Sequence, residues 1–152
     1  MSPGPPVFPP LGLRLAQTAH AVTQAFERAM AEAGGSASTW QVLLLVRSKE
    51  WGTQSALAKA MGVTSATLTH HLNAAERQGL VRRWREPHNR RVQRVELTPA
   101  GIALFDRLRE VAVDHDKRLR AHLTDDETQQ LAVFLDRLRA SVETPEAVPA
   151  HA

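Results

Sequence analysis

Apolar positions recur along this chain in two distinct periods. From Leu11 onward, Leu15, Ala19, Val22, Phe26 and Ala29 alternate steps of four and three, the stripe of an amphipathic helix that needs a partner, and Gly34-Gly35 end it. Ser36 can cap a second helix, whose run Trp40, Val42, Leu43, Leu44, Leu45 and Val46 predicts a buried segment. Thr53 is the cap expected for a short third helix carrying Leu57, Ala58 and Met61 and stopped by Gly62. After Val63, Thr64 caps a fourth helix from about Ser65 to Gln78, with Leu68, Leu72 and Ala75 on its buried side and Gly79 as its stop. The pattern then turns strand-like. Leu80 to Arg85 and Arg91 to Leu97, with Val81, Trp84, Val92 and Val95, flank Glu-Pro-His-Asn-Arg, and Pro87 keeps the tip of this hairpin out of the ladder. Thr98 and Pro99 open a long helix with Phe105, Leu108, Ala112, His115, Leu119 and His122 at heptad spacing. Thr124-Asp125-Asp126-Glu127 is a capping box for a last helix with Leu131, Phe134, Leu135, Leu138 and Val142 on one face.

Two short helices joined by a tight turn form a helix-turn-helix, whose second helix lies in the DNA major groove. Here that helix presents Ser65, Ala66, Thr67, Thr69, His70, Asn73 and Arg77 away from Leu68, Leu72 and Ala75, with no acid among them. Short hydrogen-bonding side chains at these positions suit base edges and methyl groups, and Arg77 at the far end suits a phosphate. His71 falls on the packing side. The hairpin adds Arg82, Arg83, Arg85, Arg90, Arg91 and Arg94, six guanidinium groups within thirteen residues. Beside a helix-turn-helix, such a wing can enter the minor groove, where negative potential attracts guanidinium.

Charge accounting localises the basic character. Residues 53 to 98 hold eight Lys/Arg against three Asp/Glu, net +5, whereas the other 106 hold eleven against thirteen. A whole-chain value of +3 therefore understates the local field.

The segment from Thr53 to Thr98 resembles the winged helix-turn-helix of the MarR family of bacterial transcriptional regulators. Gly79-Leu80-Val81 matches the family's step into the wing, and Leu97-Thr98-Pro99-Ala100-Gly101 matches its closing Leu-Thr-x-x-Gly. Asn89-Arg90-Arg91 stands at its Asp-x-Arg wing tip, so the resemblance makes Arg91 the minor-groove arginine and Arg83, Arg85, His88, Asn89 and Arg90 its neighbours on the wing. The departure is Asn89 in place of the usual acid, which can accept a hydrogen bond but forms no ion pair. The likeness extends from about Leu11 to Val142. The string Thr69-His70-His71-Leu72 also looks like the recognition helix of ArsR-type metal repressors, which are usually shorter, commonly use cysteine and lack this wing-to-long-helix sequence.

The expected fold is mainly α with a small β-hairpin wing: a winged helix-turn-helix lobe at 36–98, a helical dimerisation region at 11–35 and 99–143, a proline-rich arm at 1–10 and a flexible tail at 144–152, one structural domain overall. The first and the last two helices carry more apolar surface than one small winged domain needs to cover, which predicts a symmetric dimer reading a palindromic operator. The family resemblance implies the same dimer, repression relieved by ligand, and a small aromatic acid as effector. It places Arg14 and His20 where aromatic-carboxylate sensors of the family hold their ligand, Arg14 on the carboxylate and His20 on a ring hydroxyl, with Trp40 as a candidate pocket wall.

Composition narrows the alternatives. The absence of cysteine rules out thiol redox sensing and thiolate zinc sites. A zinc-responsive regulator using His and Asp ligands is the alternative reading, with His115 and His122 as candidates beside Asp114 and Asp116, but two turns separate the histidines, about 10 Å along the axis. No cofactor is implied. An enzyme is not expected: there is no Gly-rich phosphate loop, no Cys, no Tyr and no His-x-x-x-His. A protein-interaction module has no need of six arginines on a hairpin. With no apolar run able to span a membrane and a start, MSPGPPVFPP, that lacks a basic secretory n-region, the chain is expected in the cytoplasm.

Overall fold

The structure is a computed structural model that describes Gly4 and residues 8–48 and 54–143. Among these residues the order is α1 (Leu11–Glu32), α2 (Ala37–Ser48), α3 (Gln54–Met61), α4 (Ser65–Arg77), β1 (Val81–Glu86), β2 (Asn89–Leu97), α5 (Pro99–Arg120) and α6 (Asp125–Glu143). The expected Thr53 cap, the 144–152 tail, most of the 1–10 arm and the side chains of Leu57 and Val92 lie outside the described residues. The chain divides into two compact units, Met1–Val113 and Asp114–Ala152, so the boundary falls within α5.

Helix ends follow local chemistry. The Thr64 hydroxyl accepts the Thr67 N–H at 3.1 Å and starts α4. At its other end Gly79 adopts φ +70°, which lets its N–H reach the Glu76 carbonyl (2.9 Å) and the Leu80 N–H the Ala75 carbonyl (2.9 Å). Gly62 closes α3 in the same way, its N–H on the Lys59 carbonyl and that of Val63 on the Ala58 carbonyl. Ser36 caps α2 through the Thr39 N–H, and the Glu27 carboxylate on α1 accepts the Ala37 N–H at 3.1 Å, a negative charge where the helix dipole favours one. Thr124 starts α6 by accepting the Glu127 N–H at 3.1 Å, and its hydroxyl also meets the Glu127 carboxylate.

In the first unit the core joins Met30, Val42, Leu43, Leu68, Leu72, Leu80, Val81, Leu104, Phe105 and Leu108. α2 packs against α1, α4 and β2, while α4 packs against α3 and β1, so α2 supports the helix-turn-helix. The run is not buried throughout: Leu44 is 40% exposed, sharing the outer stripe of α2 with Gln41, Arg47 and Ser48. Three contacting faces cannot wrap the whole circumference of one helix.

Burial fades towards both chain ends. Leu11, Leu13 and Leu15 on α1 are exposed, and α6 buries no residue at all, with Leu131, Val133, Phe134 and Leu135 exposed. The heptad reading of α5 needs one correction. The helix stops at Arg120, where the Leu123 N–H turns back to the Arg120 carbonyl (2.9 Å), so His122 lies in the turn and not on the helical stripe. The Thr124 cap leaves too few residues between α5 and α6 for another helical turn.

Candidate nucleic-acid interface

α4 projects its predicted face outward. Ser65, Ala66, Thr67, His70 and Arg77 are exposed, while Thr69 and Asn73 are half-buried. Two hydroxyls are committed to the helix itself: Thr67 Oγ1 lies 3.0 Å from Thr64 Oγ1 within the cap, and Thr69 donates to the Ser65 carbonyl at 2.9 Å. His71 turns inward and meets the His70 ring at 5.8 Å between centroids.

The wing is a two-stranded antiparallel sheet paired from Val81↔Leu97 to Arg85↔Gln93. Beyond Arg85 the register jumps so that Glu86 faces Asn89, leaving residues 90–92 of β2 in a bulge without a partner residue. The expected five-residue tip is thus shorter: Pro87 and His88 alone form the turn. Arg85 donates to the Arg90 carbonyl at 2.7 Å across the bulge. Asn89 does accept a hydrogen bond, but from the Arg91 backbone N–H at 3.2 Å, so it shapes the main chain at the tip and does not hold the Arg91 guanidinium.

Ion pairing sorts the arginines into two groups. Arg82 pairs with Glu96 and sits over the Trp84 ring, Arg94 pairs with Glu86 at 2.7 Å, and Arg83 pairs with Glu76 of α4 at 3.1 Å. All three acids between residues 53 and 98 are consumed in this way. Arg77, Arg85, Arg90 and Arg91 meet no acid among the described residues and are exposed. The +5 charge is therefore carried by Lys59 on α3, Arg77 on α4 and the three wing arginines Arg85, Arg90 and Arg91.

Arg83 differs from the solvent-facing wing cation that sequence reasoning expected. Its side chain is only 13% exposed, and besides Glu76 it donates to the Asn73 side-chain oxygen. The Glu76 carboxyl is held below the ordinary glutamate range, chiefly by its hydrogen bond to Arg83. Glu76 was missed because it sits at the edge of the α4 face; its seven-residue separation from Arg83 bridges two element types and has no local signature. A second missed feature is the base of the wing. Thr98 donates to the Gly79 carbonyl at 2.5 Å, takes the Leu80 carbonyl with its own N–H, and caps α5 by accepting from Gly101. Gly101 approaches the residue leading into β1 so closely that a Cβ there would lie 2.0 Å from the Leu80 carbonyl oxygen.

Of the residues singled out for a ligand, Arg14 and His20 stand exposed on α1, whereas Trp40 is half-buried and stacks on Phe105 with ring centroids 5.2 Å apart. A cavity of about 440 Å³ in the first unit is lined by Val46, Arg47, Val95, Glu96, Leu97 and Ile102, none of them a predicted ligand residue. Among the described residues no group of three or more His, Cys, Asp or Glu is placed to hold a metal, and Asp116 pairs with Arg120 at 2.8 Å. No helix of the described residues is long and apolar enough to cross a membrane.

A capped recognition helix, an arginine-tipped hairpin and the shared anchor between them define a winged helix-turn-helix, a DNA-reading class. The profile of the MarR family matches residues 36–92, and a Thauera aromatica protein named as a transcriptional regulatory protein for the hcr operon is 30% identical over 137 residues, 89% of this chain and 82% of its own. This chain belongs to the MarR family of transcriptional regulators, which displaces the ArsR-like alternative. The repressor CouR bound to a 23-mer DNA duplex matches with a TM-score of 0.75 and 28% identity over 85% of this chain and 92% of that one. Rhodococcus jostii RHA1 CouR bound to p-coumaroyl-CoA matches with a TM-score of 0.72 and 22% identity over 93% and 94% of the two chains. A mutant MarR from E. coli complexed with operator DNA matches with a TM-score of 0.70 and 26% identity over 82% and 93%.

Proposed function

We propose that this regulator is a homodimeric repressor that reads a palindromic operator and is released by a small aromatic carboxylate. The observation that carries the DNA reading is the sorting of charge: all three acids of residues 53–98 are spent on arginines, and exposed Arg77 on α4 and Arg85, Arg90 and Arg91 on the wing are left over. Ser65, Ala66, Thr67, Thr69, His70 and Asn73 then face the major groove, Arg77 meets a phosphate, and the wing tip with Arg85, His88, Asn89, Arg90 and Arg91 enters the adjacent minor groove. Arg83 acts from behind, through Asn73.

Dimerisation is supported by the exposed apolar side chains of α1 and α6, which a monomer leaves in water. Residues 11–35 and 99–143 form that dimerisation region, and two-fold symmetry presents two copies of α4 to two half-sites about one helical turn apart. The effector reading rests on Arg14 and His20, exposed donors on α1, and on CouR, which was solved with the aromatic acyl thioester p-coumaroyl-CoA.

One titration tests the whole reading. Duplex affinity is expected to fall steeply and linearly in log–log form with salt, and a hydroxybenzoate is expected to release DNA from the wild type but not from Arg14→Ala. Salt-insensitive binding overturns the DNA reading. Release that persists in Arg14→Ala overturns the aromatic-acid site alone.

A further inference from the structure

The half-buried pair Arg83–Asn73 has a consequence for which bases the recognition helix accepts. A guanidinium carries only donors, so whichever amide atom of Asn73 faces Arg83 must be the oxygen. The structure has this arrangement, with Arg83 Nη2 donating to Asn73 Oδ1 while the same guanidinium is held by Glu76. That contact is part-buried and the Arg83 side chain is largely covered, so the oxygen is engaged on the protein side. What Asn73 has left to offer outward is its NH2 group.

Resting on the reading of α4 as the recognition helix, we propose that Arg83 is a positioning residue that makes Asn73 a donor-only reader, selecting keto bases over amino bases. The usual pairing of asparagine with adenine needs oxygen and nitrogen presented together, to the adenine amino group and N7. A locked oxygen closes that mode. A lone amide donor instead finds acceptors at guanine O6 and N7 or at thymine O4; adenine offers it N7 alone, beside the competing N6 donor, and cytosine only the N4 donor, so both amino bases are disfavoured. Each half-site is thereby expected to carry one position that prefers G or T.

The test is enrichment of a randomised DNA duplex library by the full-length protein, sequenced for the wild type, Asn73→Ala, Asn73→Asp and Arg83→Met. The wild type is expected to favour G or T at one position per half-site by about fivefold, the scale of one net hydrogen bond. Asn73→Ala is expected to erase that preference and leave the other positions. Asn73→Asp keeps the Arg83 contact but offers only acceptors, so it should bind less tightly and shift the same position towards C or A. Arg83→Met frees the amide to rotate, and adenine should then be admitted. The inference is overturned if the position relaxed by Asn73→Ala is occupied by A or C in the wild-type motif, if Asn73→Ala changes no position, or if Arg83→Met leaves the preference intact. Failure of the wild type to enrich any motif removes the recognition-helix reading itself, and the inference with it.

Discussion

Arg83 and Arg91 stand on opposite strands of one hairpin, yet their surroundings give them different work. Arg83 is enclosed by Asn73 and Glu76, whereas Arg91 is exposed on a bulge whose backbone is shaped by Asn89. A guanidinium with no acid to satisfy it gains most from a phosphate or a narrow groove, so Arg91→Ala is expected to weaken operator binding and lower the salt slope by about one unit while leaving sizing behaviour unchanged. Unaltered affinity in a filter-binding or fluorescence titration would remove the wing tip from the interface. Glu76 supplies a pH signature. Its folded-state carboxyl titrates below the ordinary glutamate range because of Arg83, so its ion pair contributes stability that is present above that range and lost as pH falls through the depressed value. Thermal melts across strongly acidic pH should show this loss in the wild type and a flatter acid limb in Glu76→Gln.

At the level of elements, what was legible in the chain was whatever depends on neighbours in sequence. Thr64, Ser36 and Thr124 cap as expected, and Gly62 and Gly79 stop their helices, because each works within a single turn. The wing's internal pairings were not legible. Arg82 opposes Glu96 only because the register places them as direct partners, and Glu86 reaches Arg94 only across the bulge that begins at Arg85. The same holds for the join between β1 and α5, where Leu-Thr-x-x-Gly could be recognised as a motif but its cause lay in a long-range approach. Gly101 lies against the Leu80 carbonyl, and Thr98 ties that strand entrance to the first turn of α5. Gly101→Ala must push α5 away from β1, a backbone contact with no flexible side chain to yield. A loss of about 1–3 kcal/mol is expected in denaturant melts, with weaker DNA binding because α4 and the wing share this anchor. A melt identical to the wild type would mean the junction can open at no cost.

For the whole molecule, amphipathic stripes were visible on every long helix, but the pattern alone could not separate stripes covered within one protomer from those left bare. Phe26 and Met30 on α1 pack with the core while Leu11, Leu13 and Leu15 on the same helix stay exposed, and on α6 Leu131, Phe134, Leu135 and Val142 of its stripe are exposed. The difference lies in which neighbours the tertiary fold supplies. Phe134 offers the cleanest test, being 52% exposed with Leu131 and Leu135 beside it. If α6 faced water in solution, Phe134→Asp would be nearly silent, since surface changes usually stay within about 0.5 kcal/mol. If a second copy covers it, a buried unpaired carboxylate must break the association. The expectation is a shift from dimer to monomer in sedimentation, with affinity for a palindromic duplex falling to that of an isolated half-site as the second contact ceases to be intramolecular. A variant that still sediments as a dimer would place the interface elsewhere on the chain.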